Sequence, residues 1–164
     1  MKAIVYTSNA GHTEAYAKIL REKTGLACYN LKQAKGELAK DTEVIYLGWL
    51  FANHVKDYKK AAKKFKIAAV CAVGLCDTGT AVSEVRKANK LCEDVPLFTI
   101  QGGMDKEKLN GGYRFGINML IKAVSKKKNP TADDKRMLYL LKNDKNYVSE
   151  ENTKEFMAWY NKNK

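Results

Sequence analysis

The run Tyr6-Thr7-Ser8-Asn9-Ala10-Gly11-His12-Thr13-Glu14 decides how the rest of the chain is read. Ahead of it, Ala3-Ile4-Val5-Tyr6 is short and apolar, as a buried strand is. From about Thr13 onward, Tyr16, Ile19 and Leu20 recur at helical spacing, and Gly25 stands just past the end. A strand that passes straight into a helix aims the loop's free N–H groups and the positive end of the helix dipole into one small volume. That is an anion site. Ser8 and Thr13 add hydroxyl donors, and Gly11 lets a ligand come close to the backbone. No lysine sits in the loop, so it is not a triphosphate loop with G-K-[ST], and the dinucleotide pattern G-x-G-x-x-G is absent. A neutral, hydroxyl-rich cradle of this kind suits one phosphate monoester.

Outward from the loop, short apolar runs alternate with helical patterns, which predicts an α/β domain with a parallel sheet wrapped on both faces. Further strands are read at Ala27 to Leu31, Val44 to Leu47, Ile67 to Val73 and Leu97 to Ile100. The runs at 44–47 and 67–73 are nearly continuous in apolar residues, as strands covered on both faces tend to be. Between them lies a lysine-rich helix, 56–66, with Tyr58, Ala61, Ala62 and Phe65 as its buried stripe. Ala81, Val85 and Ala88 mark another helix, and Gly112 to Val124 a fourth with Phe115, Met119, Leu120 and Val124 spaced for burial. In the tail, Thr131 is placed to cap a short helix carrying Met137, Leu138 and Leu141. Ser149 is read as the cap of the last helix, whose Phe156, Trp159 and Tyr160 form an aromatic stripe for the core. The order of elements predicts one doubly wound domain over residues 1–164, five strands in the order 2-1-3-4-5, with ligands at the carboxyl ends of the strands beside the first.

Two more loops then face the ligand. After the third strand stands Gly48-Trp49-Leu50-Phe51-Ala52-Asn53-His54, and after the fourth Gly74-Leu75-Cys76-Asp77-Thr78-Gly79-Thr80. The first loop resembles the phosphate loop of the flavodoxins, S/T-x-T-G-x-T behind an apolar strand: Ser8, Gly11 and Thr13 match, and Ala10 replaces a threonine. The resemblance covers residues 1 to about 125 and implies a flavodoxin-like fold with FMN as cofactor. It places the phosphate on Ser8, Asn9, Ala10, Gly11, His12 and Thr13. The flavin ring would lie between Trp49, Leu50, Phe51, Ala52 and Asn53 on one side and Gly74, Leu75, Cys76, Asp77, Thr78 and Gly79 on the other. Ala52 and Thr80 stand where the family often has ring-stacking aromatics, and Asp77 is also suited to shaping its own turn. Gln101-Gly102-Gly103-Met104-Asp105-Lys106-Glu107-Lys108-Leu109 is similar, locally, to the flavodoxin domains of menaquinone-dependent protoporphyrinogen dehydrogenases.

His12 and His54 are the only histidines, and neither has a carboxylate partner at readable spacing. No Ser-His-Asp set, metal cluster or paired carboxylates emerge, so redox chemistry has to come from a cofactor. Cys28, Cys71, Cys76 and Cys92 form no C-x-x-C pair and read as free thiols, only Cys76 falling in a loop. Thirty Lys and Arg against eighteen Asp and Glu leave a formal charge of +12. Flavodoxins are usually acidic, so a partner of the opposite sign is implied: a redox protein, a small anionic or quinone substrate, or an anionic membrane surface. Nucleic acid is disfavoured, because no aromatic-and-basic module accompanies the lysines. No run approaches the roughly 20 apolar residues of a membrane span and no secretory pattern opens the chain, so a cytoplasmic protein is expected. Three functions follow: FMN-based electron transfer, an FMN-dependent oxidoreductase for a quinone or porphyrinogen-like anion, and a binding module of this fold without flavin.

Overall fold

In the computed structural model, which describes residues 1–164, the expected strands appear in a mostly parallel sheet. The strands are β1 (Ala3–Thr7), β2 (Ala27–Asn30), β3 (Glu43–Phe51), β4 (His54–Val55), β5 (Lys66–Gly74) and β6 (Leu97–Gln101). The parallel path runs β2-β1-β3-β5-β6. The five-strand expectation is corrected by β4, which folds back antiparallel on the end of β3, pairing Leu50 with Val55 and Phe51 with His54. The two-residue turn between them puts Ala52 and Asn53 at φ 47° and 62°, the left-handed pair that a tight hairpin demands. Alanine signals no such turn, so the hairpin is silent in the sequence. Gly48 makes room for it: a Cβ there would lie 2.5 Å from Val55 Cγ1 and 2.9 Å from the Lys56 carbonyl oxygen.

Alternation along the strands divides the core. Ala3, Val5, Val44, Tyr46, Val70 and Ala72 face one layer with α2 (Leu31–Glu37), α3 (Tyr58–Ala62) and α4 (Val82–Asn89). Ile4, Ile45, Leu47, Ala69, Cys71 and Val73 face the other, against α1 (His12–Thr24) and α7 (Lys154–Asn163). Ile4, Ile45 and Leu47 are fully buried, each worth roughly 1.5–3 kcal/mol. The aromatic stripe is core as expected: Phe98 meets Phe156 edge-on at 5.5 Å, and Trp159 and Tyr160 pack beside it. The Tyr16 hydroxyl of α1 locks this layer to the sheet end, donating to the Gln101 carbonyl and accepting from Asn152 Nδ2 at 2.9 Å.

Several boundaries move. Leu31 leaves the second strand to start α2, which Asn30 and Gln33 close with a reciprocal cap. The lysine-rich helix contracts to Tyr58–Ala62, with Ala62 exposed: Lys56 and Asp57 form the turn after β4, 63–65 turn back, and Lys66 opens β5. Ser149 accepts from the Asn152 amide at 3.4 Å but precedes only a single 3₁₀ turn, Glu151–Thr153; α7 starts after it. Cys71 is buried, Cys28 half-buried, and Cys76 and Cys92 exposed, all of them free.

Between β6 and α7 the chain inserts a helical hairpin, α5 (Gly111–Ser125) and α6 (Ala132–Lys142), bracketed by a two-strand ribbon, β7 (Gly103–Met104) with β8 (Lys145–Asn146). Thr131 caps α6 as read, in a reciprocal box with Asp134. The expected buried stripe of α5 is wrong for three residues of four. Phe115, Met119 and Leu120 are 67%, 57% and 43% exposed, while Val124 and Ile117 are buried. Both sides of this helix are apolar, so spacing alone did not say which would face inward. Ile117 and Leu141 join Met104 in a third small core, packed on Phe51 and Leu75. The hairpin therefore roofs the carboxyl ends of the strands.

No helix is long and apolar enough to cross a membrane.

Candidate functional site

The neighbours of β1 are β2 on one side and β3 on the other, so the chain reverses its winding beside the first loop. Open parallel sheets hold ligands at such a point, beyond the strand carboxyl ends. Register brings Thr7 level with Gly48, Trp49 with Val73, and Gly74 with Gln101. The three candidate loops thus rise from one edge.

In the first loop, Gly11 is the N-cap of α1 at φ 96°, and no side chain caps the helix. Ser8 Oγ instead accepts from the Gly11 amide at 3.2 Å, shaping the loop. The amides of the first turn of α1 are left for another acceptor, with the helix dipole behind them. Thr13 is almost wholly buried at the base. Asn9 is the telling residue: its Nδ2 is shut off from solvent and has no hydrogen-bond partner. An unpaired buried donor costs about 1–3 kcal/mol, and an acceptor brought by a ligand removes that cost.

His12 turns inward rather than to solvent. It is half-buried against Gly102 and Gly103, and a Cβ on Gly103 would come within 2.7 Å of its Nε2. Burial pushes its pKa below the ordinary 6.5; Asp105 opposes this and Lys108 reinforces it.

Two adjoining cavities open above the strand ends. The smaller, about 90 Å³, brings Ser8, Asn9, Ala10, His12 and Thr13 to Trp49, Leu50, Phe51, Gly74 and Leu75. The larger, about 340 Å³, lies between Leu50–Asn53 and Gly74–Asp77, over Ala72, Thr99 and Ile100. It falls within the roughly 300–1,000 Å³ usual for small-molecule sites and is mostly apolar. Leu50, Phe51, Gly74, Leu75 and Ile117 belong to both. The two cavities therefore adjoin through shared walls, both mostly apolar, and only the smaller reaches Ser8, Asn9 and Thr13 of the first loop.

Gly11, Thr78 and Gly79 line neither cavity. Thr78 Oγ1 accepts from the Gln101 amide at 3.0 Å and the Gly79 amide donates to the Thr99 carbonyl at 3.0 Å, so both stitch the loop to β6. The Asp77 carboxylate pairs with Arg136 of α6 instead of closing its own turn. Trp49 and Phe51 lie at the site but are held by Tyr113 of α5, edge-on at 4.7 and 5.1 Å. Lys56 Nζ donates to the Tyr113 hydroxyl at 2.6 Å.

Sequence reasoning missed the roof, Tyr113, Gly116, Ile117, Leu120, Met137 and Leu141, and the wall residues Met104 and Leu109. Only the Gln101–Leu109 segment, which holds Met104 and Leu109, carried any signal for them. It also missed Asn89, buried in α4, which accepts from the Val55 amide at 2.9 Å and donates to the Asn53 carbonyl at 2.8 Å. That one amide clamps the β3–β4 hairpin. A lone Asn in a helix gives no hint of such a task.

Compared with known proteins, the chain matches no family model, no curated protein and no solved structure.

Proposed function

We propose that this is an FMN-binding protein of flavodoxin-like fold that passes electrons between partners. The observation that carries the reading is the unpartnered Asn9 amide in an uncapped strand–helix loop, beside a largely apolar cavity between the two next loops. These residues fit the cofactor's two halves. Asn9, Thr13 and the first amides of α1 would hold the phosphate; Leu50–Asn53 and Gly74–Asp77 would flank the ring. When bound, FMN supplies one- and two-electron redox chemistry. The protein's own part is to hold the phosphate by charge-assisted hydrogen bonds, keep water off the ring, and present a basic surface to an acidic partner.

The visible absorption spectrum of the purified protein, and titration of the apoprotein with FMN, FAD, NAD and riboflavin, test this. FMN is expected to bind best, with riboflavin weaker for want of the phosphate. A clear preference for FAD or NAD, or no flavin binding at all, overturns the reading and leaves the flavin-free binding module.

A second reading has one specific observation in its favour. The α5–α6 roof extends the apolar cavity beyond the strand loops, through Ile117, Leu120, Met137 and Leu141. Such an enclosure suits an FMN-dependent oxidoreductase for a quinone or porphyrinogen-like anion. Steady-state turnover of such a substrate, with the rate lost in Leu120→Arg, separates the enzyme from the carrier.

A further inference from the structure

From Leu109 to Ala132 the chain contains five basic residues, Arg114, Lys122, Lys126, Lys127 and Lys128, and not one Asp or Glu. The same stretch carries three of the four large hydrophobic side chains that are exposed, Phe115, Met119 and Leu120. Phe115 and Met119 are a turn apart on α5 and Ala123 another turn on, so the three form one stripe. Phe115 and Met119 are more than half exposed, and Ala123 is open as well. Lys122 and Lys126 follow on the same side of the helix, exposed and free of ion pairs, while Lys127 is taken up by Asp134. The opposite side, Ile117 and Val124, is the one that packs inward. Nothing in the chain covers the outer stripe.

We propose that the outer face of α5 docks this protein on an anionic lipid bilayer, the helix lying in the headgroup plane with Phe115 and Met119 inserted. An amphipathic helix with aromatic and aliphatic residues on one face and lysines beside them is the arrangement that binds such an interface. Each lysine near the surface adds attraction to anionic headgroups. The apolar stripe ends in unpaired lysines and no carboxylate lies in the whole stretch, which is the charge and polarity match for an anionic headgroup layer over an apolar interior. Gly116 and Leu120, beside the stripe, also line the 340 Å³ cavity, so docking sets the mouth of that cavity towards lipid. The proposal stands on this face alone and does not depend on flavin.

Co-sedimentation of the full chain with vesicles tests it, using pure phosphatidylcholine and equal parts phosphatidylcholine and phosphatidylglycerol. The wild type is expected to bind the mixed vesicles and not the neutral ones. Phe115→Ser with Met119→Ser should weaken binding about tenfold. Lys122→Glu with Lys126→Glu should weaken it at least as much. All four positions are exposed, so circular dichroism and melting should be unchanged, and flavin content measured in parallel reports the other reading separately. The proposal is overturned if the wild type ignores mixed vesicles. It is equally overturned if the Ser pair binds like wild type, which would leave charge alone. A wild-type dimer in gel filtration that the Ser pair dissociates, without lipid binding, assigns the face to a second copy. Tight binding of an acidic protein lost in the Ser pair, again without lipid binding, assigns it to that partner.

Discussion

Asn9 gives the sharpest expectation at the scale of a residue. Its amide nitrogen has no partner in the protein, so Asn9→Ala should leave the ligand-free protein as stable as before or more so. FMN affinity should nevertheless fall, by roughly 1.5–3 kcal/mol if the bond is charge-assisted. A residue kept for the fold would show the opposite pairing. Urea unfolding and FMN titration on the same variant read both quantities. Thr13→Ala should also weaken FMN, and so should Gly11→Val. For Gly11 the cause is the backbone: at φ 96° a branched side chain is strained although nothing crowds the Cβ position. His12 adds a pH dependence. Its pKa is lowered in the fold by burial, so in the window from 6.5 down to the lowered value the unfolded chain binds more protons than the folded one. Stability is therefore full above that window and falls as pH drops through it. His12→Gln should flatten this part of the urea-midpoint profile against pH.

At the scale of an element, the β3–β4 hairpin and the α5–α6 hairpin make the site. The first depends on Asn89, whose amide oxygen and nitrogen hold both sides of the turn. Asn89→Ala leaves the buried Val55 amide without its acceptor and should cost about 1–3 kcal/mol, seen as a lower urea midpoint. Asn89→Asp keeps the acceptor but not the donor and brings a buried charge, so it should cost at least as much. Periodicity showed both helices of the second hairpin, but neither the β3–β4 turn nor the side on which α5 packs. β4 has two residues, and its turn uses Ala52 where Gly or Asn would have announced it. The stripe of α5 was read on the wrong side, because Phe115-Met119 and Ile117-Ile121 are equally good helical patterns and only the strand ends beneath decide between them. By contrast β1, β3 and β5 were plain, since strands buried on both faces need apolar residues at every position.

For the whole molecule, the charge of +12 is the property that sets partners apart. Lys59 and Lys63 are exposed and unpaired on and just after α3, whereas Lys60 is tied to Asp57 and sits in a cleft that reaches Ser8. Lys59→Glu with Lys63→Glu should slow the reaction with an acidic partner and flatten its salt dependence, with FMN affinity nearly unchanged. Screening acts over about 8 Å at physiological ionic strength, so steering is lost to salt while a partly enclosed site is not. Stopped-flow rates across a salt series check this; an unchanged rate and slope would mean those lysines only solvate their surface.

The sequence by itself determined the α/β class, the places of the five long strands, the strand–loop–helix cradle at Ser8–Thr13 and the aromatic packing of the last helix. Each rests on local chemistry: apolar runs, helical spacing, hydroxyls and a glycine at a strand end. Only the tertiary structure decided that β4 folds back on β3, that Asn89 reaches across to hold it, that Thr78 and Gly79 bind β6 instead of the cavity, and that α5 and α6 close over the site. Those choices depend on surfaces that meet from distant parts of the chain. Burial and hydrogen bonding between them decide among local patterns that, taken alone, are equal in energy.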